Sequence, residues 1–177
     1  MRRTSFARMH CSIAQTLELV GEWWTPLILR DVYLGLHRFD DIAENLEISR
    51  NLLTRRLADL VARGILDRRR YQDRPPRYEY HLTEAGRELV PALLVLMAWG
   101  DRHATPPGGP PVRPVHTECG HEFTPVVACS SCGEPVNART VSALPGPGAA
   151  EGPGTWVLHR RARRPLDPPE APATHPK

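Results

Sequence analysis

At Gly64 the hydrophobic period of this chain changes from that of a helix to that of a strand. Before it, Leu53, Leu57, Leu60 and Val61 recur on one face of a helix running to Arg63. After it, Tyr78, Tyr80 and Leu82 alternate as one face of a half-buried strand. Glycine closes the helix because it alone enters the left-handed conformation without a steric penalty. Upstream, Phe39, Ile42 and Leu46 mark a shorter helix over 39–46, and "EIS" turns the chain into the longer one. Ser49 stands where an N-cap belongs, its hydroxyl able to accept a free backbone N–H. Downstream, strands over 65–71 and 77–82 flank a turn from Gln72 to Pro76. Two helices joined by a tight turn, the second with a polar outer face, describe a helix-turn-helix, and the hairpin behind it is a wing.

The flanks complete a mostly helical fold with a small hairpin. Ile13, Leu17 and Val20 predict a first helix over 12–20, ended by Gly21. A second starts near Trp24, with Pro26 tolerated in its first turn and Leu27, Ile28 and Val32 as its core face. Gly35 is the expected C-terminal cap. Thr83 opens a fifth helix whose stripe Leu89, Leu93, Leu96 and Met97 is longer than one small core needs. Pro91 should bend it.

Composition divides the chain. Its 177 residues suffice for one ordinary domain or a small domain with an appendage, and 41% hydrophobic content is close to the globular norm. Nineteen prolines are too many for one compact fold, and most lie beyond residue 105. The expected layout is a winged domain over 1–105, a Pro/Gly linker over 106–113, a small module over 114–144 and a disordered, basic tail over 145–177. No apolar run is long enough for a bilayer, and Gln15, Glu18 and Glu22 interrupt any signal-peptide core. These features predict a soluble cytoplasmic protein. The net charge of +3 says little, but arginines cluster over 50–77 and 160–164. That distribution favours a polyanion, and double-stranded DNA is the expected partner.

Two roles separate within the basic cluster. Ser49, Arg50, Asn51, Thr54 and Arg55 occupy the start of the fourth helix, where side chains reach base edges in the major groove. Arginine donates bidentately to guanine and asparagine to adenine. Arg68, Arg70, Arg74 and Arg77 on the wing fit phosphates, which set register without reading sequence. About half of these arginines should touch DNA, since a wing presents only part of its surface.

Four cysteines are too few for a disulfide scaffold, and three of them crowd into "HTECGHEFTPVVACSSCGEP". His116 with Cys119, and Cys129 with Cys132, form two knuckles in which each second cysteine precedes a glycine. That is the grammar of a zinc ribbon, four nitrogen and sulfur ligands around one structural Zn2+. His121 is the alternative fourth ligand, though its spacing breaks the knuckle. His116-Thr117-Glu118 followed by Cys129 and Cys132 also echoes zinc deaminases. Ala128 replaces the expected proline, the halves lie too close to hold a deaminase core, and Cys119 closes the coordination sphere. Catalysis is therefore not expected. Cys11 precedes the first helix, whose dipole can activate a thiol for redox sensing.

Through residue 103 the sequence resembles the HxlR-type family of bacterial winged helix-turn-helix transcription regulators. The resemblance is carried by "CSIAQTLELVGEWWTPLILRDV", "RFDDI", "ISRNLLTRRLADLVARGI" and above all "PPRYEYHLTEAGRELVP". It implies a homodimer joined through the first and fifth helices, binding a pseudo-palindromic operator, with repression as the expected output. It also implies redox sensing at Cys11, since an equivalent cysteine serves that purpose in some relatives. Trp23 stands where many relatives carry lysine, and Arg55 and Arg56 replace common glutamines, so the operator sequence does not carry over. The competing reading is an adaptor that docks a partner through the ribbon and uses the winged domain to dimerise.

Overall fold

The computed structural model describes residues 5–105 and 107–155. Among the described residues, 19–140 form one compact unit, and 5–18 together with 141–155 form another. Helix α1, Ser12–Val20, begins in the second of these and ends in the first.

The larger unit is built around a helical core. Helices α2 (Thr25–Tyr33), α3 (Phe39–Leu46) and α4 (Arg50–Ala62) contribute Ile28, Leu29, Val32, Ile42, Leu46, Leu53, Leu57 and Leu60 to a single buried cluster. Ile65, Leu66 and Leu82 close it from the hairpin. Leu27, expected inside α2, is exposed instead, and its place is taken by Leu29 and by the fully buried carboxylate of Asp31. Such a charge is stable only when paired. Asp31 accepts from Arg30 Nη2 at 2.6 Å and from Asn45 Nδ2 at 2.8 Å, and so ties α2 to α3.

Strands β1 (Leu66–Gln72) and β2 (Arg77–Leu82) pair antiparallel, with Leu66 opposite Leu82, Arg68 opposite Tyr80 and Arg70 opposite Tyr78. The register slips by a bulge between Arg70 and Gln72, so the strand bends before its tip. The wing is held at its base by a contact that periodicity did not reveal. Arg38 bridges to Glu79, and the Tyr80 N–H donates to the His37 carbonyl at 2.8 Å. The loop before α3 thus acts as a third, one-residue strand.

The fifth helix is two helices. Helix α5 (Glu84–Glu88) ends at Leu89, and α6 (Val90–His103) restarts with Pro91 in its first turn. Proline lacks the N–H that a continuous helix would need there, so the expected bend becomes a break. Thr83 caps α5 by accepting from the Gly86 N–H at 3.1 Å. Its own hydroxyl donates to the Gly64 carbonyl at 2.7 Å. At Gly86 a Cβ would collide with the Ile65 carbonyl, so only glycine lets α5 approach the start of the hairpin.

Beyond α6, two-residue strands β3 (Val115–His116) and β4 (His121–Glu122) make a small hairpin. A hollow of about 390 Å³ lies between the end of α6 and this segment, lined by Met97, Asp101, Arg113, Glu122 and Phe123 among others.

In the other unit, residues expected to begin a disordered tail pack instead on the N-terminal arm. The His10 N–H donates to the Pro153 carbonyl at 3.3 Å, and Met9 lies against Gly154. The remaining tail, including the arginines over 160–164, lies outside the described residues.

Candidate nucleic-acid interface

Helix α4 begins at Ser49, whose carbonyl accepts from the Leu53 N–H at 3.0 Å. The expected capping bond from the Ser49 hydroxyl is absent, because no backbone N–H of the first turn reaches it. The exposed hydroxyl remains free for another partner. Arg50, Asn51, Thr54 and Arg55 all lie on the exposed face of α4, opposite the buried leucines. Helical spacing gathers them because positions four apart stack on one side.

The four do not stand in equal freedom. Arg50 pairs with Asp40 of α3 at 2.7 Å, and its guanidinium lies 4.8 Å from the Phe39 ring centre. Asp40 therefore aims it. Thr54 donates its hydroxyl to the Arg50 carbonyl at 2.8 Å, which leaves its oxygen available as an acceptor. Arg55 makes no ion pair among the described residues. Arg56 turns the other way: it reaches Glu22 at 2.7 Å, and its buried Nε has no hydrogen-bond partner. Arg56 is a bracing residue, not part of the exposed face.

The wing arginines also divide. The Arg68 guanidinium stacks over the Tyr78 ring at 4.4 Å. Arg70 folds back on the turn, donating to the Asp73 carbonyl at 2.8 Å and pairing with the Asp73 carboxylate at 3.1 Å. It holds the tip in shape. Arg74 and Arg77, at the tip, are exposed and make no ion pair among the described residues. Asp67, Arg69, Glu79 and His81 share the opposite face of the hairpin. There Arg38 donates to Glu79 at 3.2 Å and its guanidinium lies 4.7 Å from the Tyr71 ring centre. The Arg38 hydrogen bond holds the Glu79 carboxyl below its ordinary value, helped by His81, while burial works against it. His37 and His81 stack at 4.2 Å beside that pair. Sequence reasoning missed Arg38 and His37, since a loop residue gives no periodic signal of the strand it will meet.

The geometry is a polar helix face and a cation-tipped hairpin carried by one hydrophobic core. The model of the HxlR-like helix-turn-helix family matches residues 19–107. The chain belongs to that family. It is accordingly a DNA-binding transcription regulator with a winged helix-turn-helix fold. A similar protein is the HTH-type transcriptional regulator MT3179 of Mycobacterium tuberculosis (strain CDC 1551 / Oshkosh), 49% identical over 137 residues, 77% of this chain and 87% of that one. That match is longer than the whole stretch from residue 1 to residue 107, so the likeness continues into the C-terminal region. The crystal structure of PA1607 aligns with a TM-score of 0.71 at 30% identity, covering 79% of this chain and 98% of that one. The redox regulator HypR in its oxidized form aligns at 0.50 with 33% identity, covering 54% of this HxlR-like chain and all of HypR's.

The remaining candidates lie away from α4 and the wing. Cys11 is half-buried directly before α1, and its carbonyl accepts from the Gln15 N–H at 2.9 Å. His116 Nδ1 and Cys119 Sγ are 3.2 Å apart. Backbone N–H groups of Ser131 and Cys132 point at Cys129 and hold its thiol below the ordinary value. Each knuckle is formed, yet among the described residues no three His, Cys, Asp or Glu side chains gather closely enough to hold an ion. The expected four-ligand cluster is thus present as two pairs. His121 faces His116 across the β3–β4 hairpin.

Proposed function

We propose that this regulator acts in the cytoplasm as a homodimeric, non-catalytic repressor on a pseudo-palindromic operator. Asn51, Thr54 and Arg55, with Ser49 and the Asp40-aimed Arg50, enter the major groove of each half-site. Arg74 and Arg77 meet phosphates beside it, while Arg68 and Arg70 shape the wing and contribute charge. The observation that carries this reading is the unequal pairing of the arginines. Arg55, Arg74 and Arg77 are exposed without ion pairs among the described residues, whereas Arg50, Arg56 and Arg70 are paired with acids of the protein. A surface that keeps unneutralised guanidinium groups at the groove-facing ends of both elements is built for a polyanion. Among the described residues no helix is long and apolar enough to cross a membrane.

Selection of bound sequences from a random duplex pool tests it. A two-fold symmetric motif, bound more weakly as salt rises, is the expected result. Recovery of no motif would leave the adaptor reading in its place. Cys11 is the candidate redox sensor in this scheme, supported by its place before α1 and by the likeness to HypR, itself a redox regulator. A mild oxidant should release operator DNA from the wild type and not from Cys11→Ser. Equal release from both would remove that role.

A further inference from the structure

The two knuckles are copies of one device. In the first, the Phe123 N–H donates to the Pro114 carbonyl at 3.0 Å, His116 pairs with His121, and the Gly120 N–H donates to the His116 carbonyl at 2.7 Å. In the second, the Val136 N–H donates to the Val127 carbonyl at 2.9 Å. There Cys129 bonds Glu134 at 2.9 Å, and the Gly133 N–H donates to the Cys129 carbonyl at 2.8 Å. The registers match position for position, with His116 equivalent to Cys129 and Cys119 to Cys132. Both glycines take positive φ, 72° and 77°, where a side chain would be strained. Neither turn is required by packing. Val115, Val126, Val127 and Val141 are exposed, and among the described residues none beyond α6 joins the hydrophobic cluster. A segment that repeats an accurate turn twice without a core needs another source of stability.

We propose that the two knuckles are the halves of one intrachain zinc site, with His116, Cys119, Cys129 and Cys132 as its ligands. Each half presents two donors from the rim of a tight turn, so an ion joining them completes a tetrahedron with three thiolates and one imidazole. That donor set selects a thiophilic, tetrahedral ion over hard cations such as magnesium or calcium. No open position remains for water, so the ion's role is structural. This proposal is independent of the DNA reading and fails or stands by itself.

The test uses the full chain, purified under reducing conditions. Elemental analysis should find one zinc per chain. After removal by a chelator, added cobalt(II) should give the intense absorption of tetrahedral thiolate coordination. Cys119→Ser and Cys132→Ser should each abolish both signals, because each knuckle supplies half the site. His121→Ala should keep them, and His116→Cys should keep the ion and strengthen the thiolate band. A helical circular-dichroism spectrum and cooperative thermal melting of each variant show that the winged domain is folded. No zinc, one ion for every two chains, a Cys129–Cys132 disulfide in place of metal, or loss of metal from one knuckle's variants alone would overturn the assignment. Loss on His121→Ala with retention on His116→Ala would overturn the ligand set.

Discussion

Arg55 and Arg77 carry the same charge to different places, and their substitution should read differently. Arg55 projects from a rigid helix face whose underside is fixed by Leu53 and Leu57, so its guanidinium can address one base pair. Arg55→Ala should cost about 1–3 kcal/mol and relax preference at one position of each half-site. Arg77 follows the turn of the wing, where only charge is on offer. Arg77→Ala should weaken all duplexes alike and lower the salt slope by about one per subunit. Quantitative binding across salt and across single-base operator variants separates the two, and unchanged slopes and preferences would remove both assignments. What was legible at this scale was the shared face, since period alone places Arg50, Asn51, Thr54 and Arg55 together on α4. It was not legible that Arg56 points inward to Glu22, because a charge next to the polar face reads as part of it until its acid partner folds beside it.

The wing is joined to the loop before α3 by an ion pair as well as by backbone hydrogen bonds. Glu79 is the middle of β2, and Arg38 holds it from the loop before α3. Because the Arg38 hydrogen bond lowers the Glu79 pKa, the folded state binds its proton less readily than the unfolded chain does. The contribution is therefore complete above the ordinary carboxylate range and is lost as pH falls through the lowered value. Glu79→Gln lacks it at every pH. Urea midpoints of wild type and Glu79→Gln should differ at neutral pH and converge as pH falls through the lowered carboxyl value. A difference that persists in acid would show that another interaction anchors the wing. At this scale the sequence carried the hairpin, its turn and the Thr83 cap, because alternation, prolines and capping chemistry are local. The third strand formed by Arg38 escaped it, as did the break at Leu89, where Pro91 ended a helix that the apolar stripe alone would have continued.

For the whole molecule, the stripe on α6 divides between two duties. Leu93 packs against the core, so a charge there would unfold the protein before it told anything about assembly. Leu96 and Trp99 remain 57% and 54% exposed on α6. Trp23 is 92% exposed and belongs to the same question. If the dimer uses α6, Leu96→Glu should sediment as a folded monomer and lose operator binding at nanomolar protein, since each half-site alone binds weakly. A tight dimer would place the interface elsewhere. What the sequence by itself determined is the helix-turn-helix with its hairpin, the polar and apolar faces of α3 and α4, and the pairing of donors within each knuckle. All of these follow from residues no more than a few positions apart. Tertiary structure decided which charges are free. The fold set Asp31 in the core, drew Arg50, Arg56 and Arg70 onto acids distant or near, and left Arg55, Arg74 and Arg77 to solvent. The physical reason is that a helix or strand is chosen by local torsions and period, whereas the partner of a long charged side chain is chosen by whichever element packs beside it.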